Sequence, residues 1–242
     1  MLLAEELILL LLDDDSGRWL VRRRVVRRAV RVALVFELVA DRALVVDASG
    51  RLAAGVTGIV EGDPVRARVV EEAVGHRPAE LTRPAKAETA ALVRRLRGRG
   101  VLRRPLLRPS RHLPRDTHPE AGVRARLLEA LSVDRRPDRH TALLVAIVHE
   151  LHLLPVLLPD LGLDRLTLDH RAAVIVDDLR ADRHYGETGL GQDPTRAGRS
   201  DGSGTGGSWL GDAMEVLGTM GELLDLVSLP FRALRFLGDL LP

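Results

Sequence analysis

The run LILLLL at residues 7–12 constrains this chain more than any other stretch. A bilayer-spanning helix needs about 20 apolar residues, and this run is closed after two to three helical turns by Asp13, Asp14 and Asp15. A secretory signal begins with positive charge, whereas Glu5 and Glu6 stand ahead of the run. The segment therefore reads as a short buried helix of a soluble core, stopped by DDDSG. The same aspartates do not make a calcium loop. Gly17 falls one place early, and Arg24 occupies the position where a closing glutamate is needed.

A chain of 242 residues, 45% of them hydrophobic, can bury a core as one large domain or as a domain with an appendage. Aromatic residues make up only 2%, so base-stacking and carbohydrate platforms are poorly supplied. The absence of cysteine excludes disulfides, zinc-thiolate sites and thiol chemistry, and fits a cytoplasmic protein. Lys86 is the only lysine, and the arginines are unevenly placed. Seven lie between Arg18 and Arg31 with no acid among them, and nine lie between Arg94 and Arg115. Although the net charge is only +2, such local fields attract polyanions or anionic membrane.

Periodicity organises the remainder. A helix is expected from about Arg22 to Ala40, with Arg24, Arg27, Arg28 and Arg31 held outward and Val26, Ala29, Val30 and Ala33 buried. ALVVDASGRLAAG reads as two short strands around Ser49-Gly50, and GDPVRARVVEEAVG as a helix with an aspartate cap and an early proline. A further helix is expected from Ala79 to Arg97. VLRRPLLRPSRHLPR follows, whose three prolines favour an irregular hairpin. Helices are expected again at Glu120–Leu131, Asp138–Leu154 and Asp164 to about Arg183. Residues 186–208 read as a Gly/Ser-rich linker and 209–242 as an amphipathic helix broken at Pro230.

Catalytic motifs are lacking. HELH at His149–His152 is one residue short of the spacing that sets two imidazoles one turn apart, and its apolar surroundings read as core. GSGTGG has neither a lysine nor a preceding strand and reads as linker. No enzyme, metal or cofactor is expected. The arginine clusters are the stronger signal. Leu106, Leu107 and Leu113 stand among arginines on the hairpin, and apolar tips rimmed by cations suit a bilayer interface.

LLAEELILLLLDDDSGRWLV, VALVFELVADRALVV, LVRRLRGRGVLRR, THPEAGVRARLLEAL and PDRHTALLVAIVHELHLL, in this order over residues 1–185, resemble the Golgi phosphoprotein 3 family in its bacterial branch. The resemblance implies a mainly α fold: a helical core with short β-hairpins, one protruding and apolar-tipped. It also implies a basic pocket for phosphatidylinositol 4-phosphate on the same side. Eukaryotic members are peripheral Golgi proteins that read the cytoplasmic tails of glycosyltransferases. Matched residue by residue, Arg31 falls on a pocket arginine and Lys86 on a basic pocket position. Arg22 stands where the family has a tryptophan, with Trp19 three residues away to replace it, and Thr89 stands where the family has an arginine. The implied protein is cytoplasmic and peripheral to the inner membrane face. Its expected partners are anionic lipids, membrane-protein clients, and a second copy through the hairpin or the C-terminal helix.

A nucleic-acid binder is the competing reading. The helix ending at Arg97 and the arginine-rich hairpin after it could form a winged-helix reader with arginines on phosphates. The apolar hairpin tip and the scarcity of Asn, Gln and Lys for base edges argue against it.

Overall fold

The helix begun by the leucine run forms the middle of the molecule. In the computed structural model, which describes residues 1–55, 60–81, 84–103, 112–114, 118–132, 136–158 and 165–180, α1 spans Leu3–Leu10 and every one of its residues is buried. A helix buried on all sides, Glu5 and Glu6 included, needs a coat of other helices that covers its apolar residues and brings cations to its acids. It receives one from α2 (Arg23–Ala40), α4 (Lys86–Gly98), α5 (His118–Ser132) and α6 (Arg139–Glu150), all of which pack against it. The helices α3 (Pro64–Ala73), α7 (Leu154–Leu157) and α8 (Arg165–Arg180) complete the layers, with α3 on α2 and α8 on α6 and α5. The fold is mainly α, as the sequence indicated.

Two small antiparallel hairpins interrupt the helices. Strands β1 (Leu44–Val46) and β2 (Leu52–Ala54) pair in the register Leu44 to Ala54. Asp47 makes their turn by accepting hydrogen bonds from Ser49 N and Arg51 N at 2.8 and 3.0 Å. Gly55 lies so close to the Arg42 carbonyl that a β-carbon there would sit 2.1 Å from it. Strands β3 (Leu102–Arg103) and β4 (Leu113–Pro114) pair as the base of the second hairpin. The tip leucines Leu106 and Leu107, the linker 186–208 and the C-terminal segment 209–242 lie outside the described residues.

Aspartate side chains cap the starts of two helices. Asp63 accepts from Val65 N and Arg66 N at the start of α3, and Asp138 from Thr141 N at the start of α6, each satisfying first-turn amides that have no helical partner. Two expected boundaries differ. The helix expected from Ala79 begins instead at Lys86, because Pro84 lacks an amide and restricts the residue before it. A short 3₁₀ turn, Pro78–Glu80, precedes it. The helix expected to reach Leu154 stops at Glu150, where His152 takes a φ of 51° and turns the chain into α7.

Candidate functional site

Residues 13–19 bring the first wall of the site into place. The Asp13 side chain accepts from Ser16 N at 2.7 Å and its carbonyl from Gly17 N at 2.8 Å, closing a tight loop. Leu12 and Trp19 then pair across it. Gly17 has a φ of 61°, and a β-carbon on it would lie 2.9 Å from the His112 carbonyl. Only glycine combines that conformation with such an approach. His112 N donates to Gly17 O at 3.0 Å, so the loop is fastened to the base of the β3–β4 hairpin, and the Trp19 and His112 rings meet edge to face at 6.0 Å.

Two helices supply the cations. Arg23, Val26 and Arg27 lie at i, i+3 and i+4 on α2, and the rows Lys86–Ala90–Arg94 and Thr89–Val93–Arg97 run along α4. With Trp19 and His112 these residues enclose an open cavity of about 350 Å³, within the size range of small-ligand sites. Five of its lining residues are Arg or Lys and none is Asp or Glu. The first turn of α4 forms part of the wall, and a helix N-terminus adds positive potential of its own. Arg97 hydrogen-bonds His112 Nδ1. By contrast, a smaller cavity of about 230 Å³ mixes Arg126 and Arg136 with Glu129 and Asp138, so its charges oppose one another.

Of the residues singled out from sequence, Trp19, Lys86 and Thr89 line the basic cavity. Arg22 caps α2 just outside it. Arg31, expected with its guanidinium outward, is instead buried at 5% exposure. Its Nη2 lies 2.9 Å from Glu72 Oε2 and 3.5 Å from Glu88 Oε1. The reason is tertiary: α3 and α4 both pack on this side of α2 and bring those carboxylates over it. Leu113 is half-buried at the hairpin base, opposite Arg103. Arg27 was named only as part of the outward stripe of α2, and Arg23, Arg94, Arg97 and His112 were not singled out. The four-residue spacings on α2 and α4 were a usable signal for the arginines; His112 reaches the cavity only through the contact with Gly17.

Elsewhere several arginines are joined to carboxylates. Arg95 and Arg99 reach the fully buried Glu5 at 2.8 and 3.0 Å, and Arg95 also reaches Asp63 at 2.8 Å. Arg126 and His140 contact Glu6 at 2.8 and 3.1 Å. Burial pushes the Glu6 carboxyl up, but hydrogen bonds from His140 and Arg126 outweigh it and hold the group below its ordinary value. The Glu6 hydrogen bond in turn raises His140. Glu37 is the exception. It is buried and in no ion pair among the described residues, and burial pushes its pKa up to about 7.

No group of three His, Asp or Glu side chains that could hold a metal occurs among the described residues. Nor is any described helix long and apolar enough to cross a membrane. His149 ends α6 and His152 lies beyond it. A model of the Golgi phosphoprotein 3 (GPP34) family matches residues 3–216. No curated protein sequence matches the chain.

Proposed function

Because the chain belongs to the Golgi phosphoprotein 3 family, we propose that it is a peripheral membrane protein whose basic cavity holds the headgroup of an anionic phospholipid. The observation that carries this reading is the separation of charge: the cavity gathers Arg23, Arg27, Lys86, Arg94 and Arg97 with no carboxylate in its lining, while Arg31, Arg66, Arg95 and Arg126 are each joined to an acid. A phosphate oxygen accepts several charge-assisted hydrogen bonds at once, and guanidinium groups from two helices converge on one volume to supply them. Trp19 and His112, packed edge to face, give the cavity an aromatic side against which a sugar or inositol ring can rest.

The family's ligand, phosphatidylinositol 4-phosphate, is the first headgroup to test. Trp19 supplies an aromatic wall although Arg22 stands at the family's tryptophan position, and Thr89 replaces one family arginine. Arg23 and Arg27 offset that loss of charge, and this broader arrangement suits phosphatidylglycerol or cardiolipin as well. Bound there, the protein acts as an adaptor for membrane-protein clients and not as an enzyme.

Flotation with vesicles containing phosphatidylinositol 4-phosphate, phosphatidylglycerol or phosphatidylcholine alone, over a salt series, tests the reading. The double variant Arg27→Glu, Lys86→Glu should lose binding to both anionic vesicles while folding normally, because neither side chain is in an ion pair among the described residues. Undiminished flotation of that variant rejects the cavity as the lipid site. A DNA mobility shift under the same salts, lost in the same variant while vesicles are ignored, would favour the winged-helix reading.

A further inference from the structure

On α2, two arginines next to those of the cavity lie outside its lining. Arg24 and Arg28 are four residues apart, one position on from the cavity-lining Arg23 and Arg27. Like charges at this spacing repel across one helical turn, and neither residue is in an ion pair among the described residues. The Nε of Arg28 is buried without a hydrogen-bond partner there. Burial and the neighbouring Arg24 both pull the Arg28 guanidinium below its ordinary value. An unsatisfied buried donor carries a desolvation penalty, and a second cation beside it adds to the strain. An anion supplied from outside would offset the repulsion between the two guanidinium groups.

Immediately before the helix the chain exposes apolar surface. Leu20 is 36% exposed and Val21 half-buried, and they sit between Trp19 in the cavity wall and the exposed Arg22, Arg23 and Arg24. We infer that Leu20, Val21, Arg24 and Arg28 form a second contact, with the surface of an anionic bilayer, beside the cavity that takes one headgroup. Charge complementarity selects this occupant: an apolar tip enters the acyl boundary only where cations meet phosphates around it. The inference rests on the lipid reading of the cavity and adds a division of labour. The cavity recognises a headgroup, and the α2 tip adds affinity for negative surface whatever the headgroup.

Two probes separate the two contacts: glycerophosphoinositol 4-phosphate, a headgroup without acyl chains, and vesicles of phosphatidylcholine and phosphatidylglycerol. The variant Arg24→Gln, Arg28→Gln should bind the free headgroup as the unmodified protein does, yet lose roughly tenfold or more in vesicle affinity, since each cation near an anionic leaflet contributes on the order of 1 kcal/mol. Vesicle affinity unchanged in that variant overturns the inference and leaves the cavity reading standing. Failure of the free headgroup to bind, with vesicle binding still dependent on Arg24 and Arg28, rejects the cavity and keeps the tip. Because the chain has no cysteine, a Leu20→Cys variant can carry a single environment-sensitive dye. It should brighten on anionic vesicles, while the same dye at Leu166→Cys, a position 76% exposed on α8, should not. A dark Leu20 probe, or equal brightening at both positions, overturns the inference.

Discussion

Arg94 and Arg95 are neighbours on α4 with opposite surroundings. Arg95 turns inward and joins Glu5 and Asp63, each at 2.8 Å. Arg94 turns about 100° away into a cavity lined by cations. The same division runs along α2, where Arg31 is buried between Glu72 and Glu88 while Arg23 and Arg27 face the cavity without a carboxylate. One residue type thus serves two purposes. Buried arginines with partners orient the coat helices against α1, and removing one leaves a charge stranded out of water. The cavity arginines, with no acid in the lining beside them, hold a positive field, which is the condition for responding to an anionic ligand.

The largest effect that could break this distinction is at Arg31. Arg31→Ala leaves Glu88, which is only 4% exposed, with the exposed Arg68 at 3.7 Å as its remaining cation, and should destabilise by about 3 kcal/mol in urea unfolding. Arg31→Glu, which places a third carboxylate in the group, should be worse still. A loss of lipid binding in either variant without loss of stability would move Arg31 to the ligand-facing class.

Glu37 sharpens the comparison from the acidic side, since it is settled by a proton where Glu5 and Glu6 are settled by cations. With its pKa raised from 4.5 to about 7, the folded state keeps a proton that the unfolded state releases. Stability from this group is therefore full below about pH 4.5, declines as pH rises, and is lost above about 7, a change on the order of 3 kcal/mol. Glu37→Gln should remove this decline from a pH series of unfolding curves and make the protein more stable at pH 8. An unaltered pH profile would show that Glu37 is ionised in the fold.

A smaller effect is expected at Gly17. Gly17→Ala combines a φ of 61° with the approach to His112 and should cost about 1–3 kcal/mol. Because that contact fastens the Trp19 loop to the hairpin base, headgroup affinity should fall with it; full affinity in a destabilised variant would mean the loop does not shape the cavity. The smallest stability change belongs to Arg94→Ala, within about 0.5 kcal/mol as for an exposed surface change, with weakened vesicle binding as its only readout. Arg95→Ala should show the reverse, with lower stability and intact binding.

Much of the helical order was legible. The leucine run, the aspartate caps at Asp63 and Asp138 and the Asp47 turn are local signals, each satisfied within a few residues of sequence. Where a local signal was passed over, the boundary moved: Pro84 shortened α4, and the turn at His152 ended α6 early. The candidate site was less legible. Lys86 and Trp19 were singled out through the family resemblance and line the cavity, whereas Arg31 belongs to the outward stripe of α2 only on a helical wheel, which has no account of α3 and α4 lying over it. Glu5 and Glu6 counted from sequence as charge against a signal peptide, and the folded chain uses them as buried anchors for arginines about 90 and 120 residues away.

By itself, then, the sequence determined that this chain would be a helical protein centred on a short leucine-rich helix, rich in arginine and without cysteine chemistry, because periodicity, capping and composition act over one or two turns. Only the tertiary structure decided which arginines are neutralised and which are left to face a ligand. A charge is paired within about 4 Å, and whether a carboxylate comes that close depends on how helices distant in sequence pack, as Glu72 and Glu88 do over Arg31 and as no acid does among the residues lining the cavity.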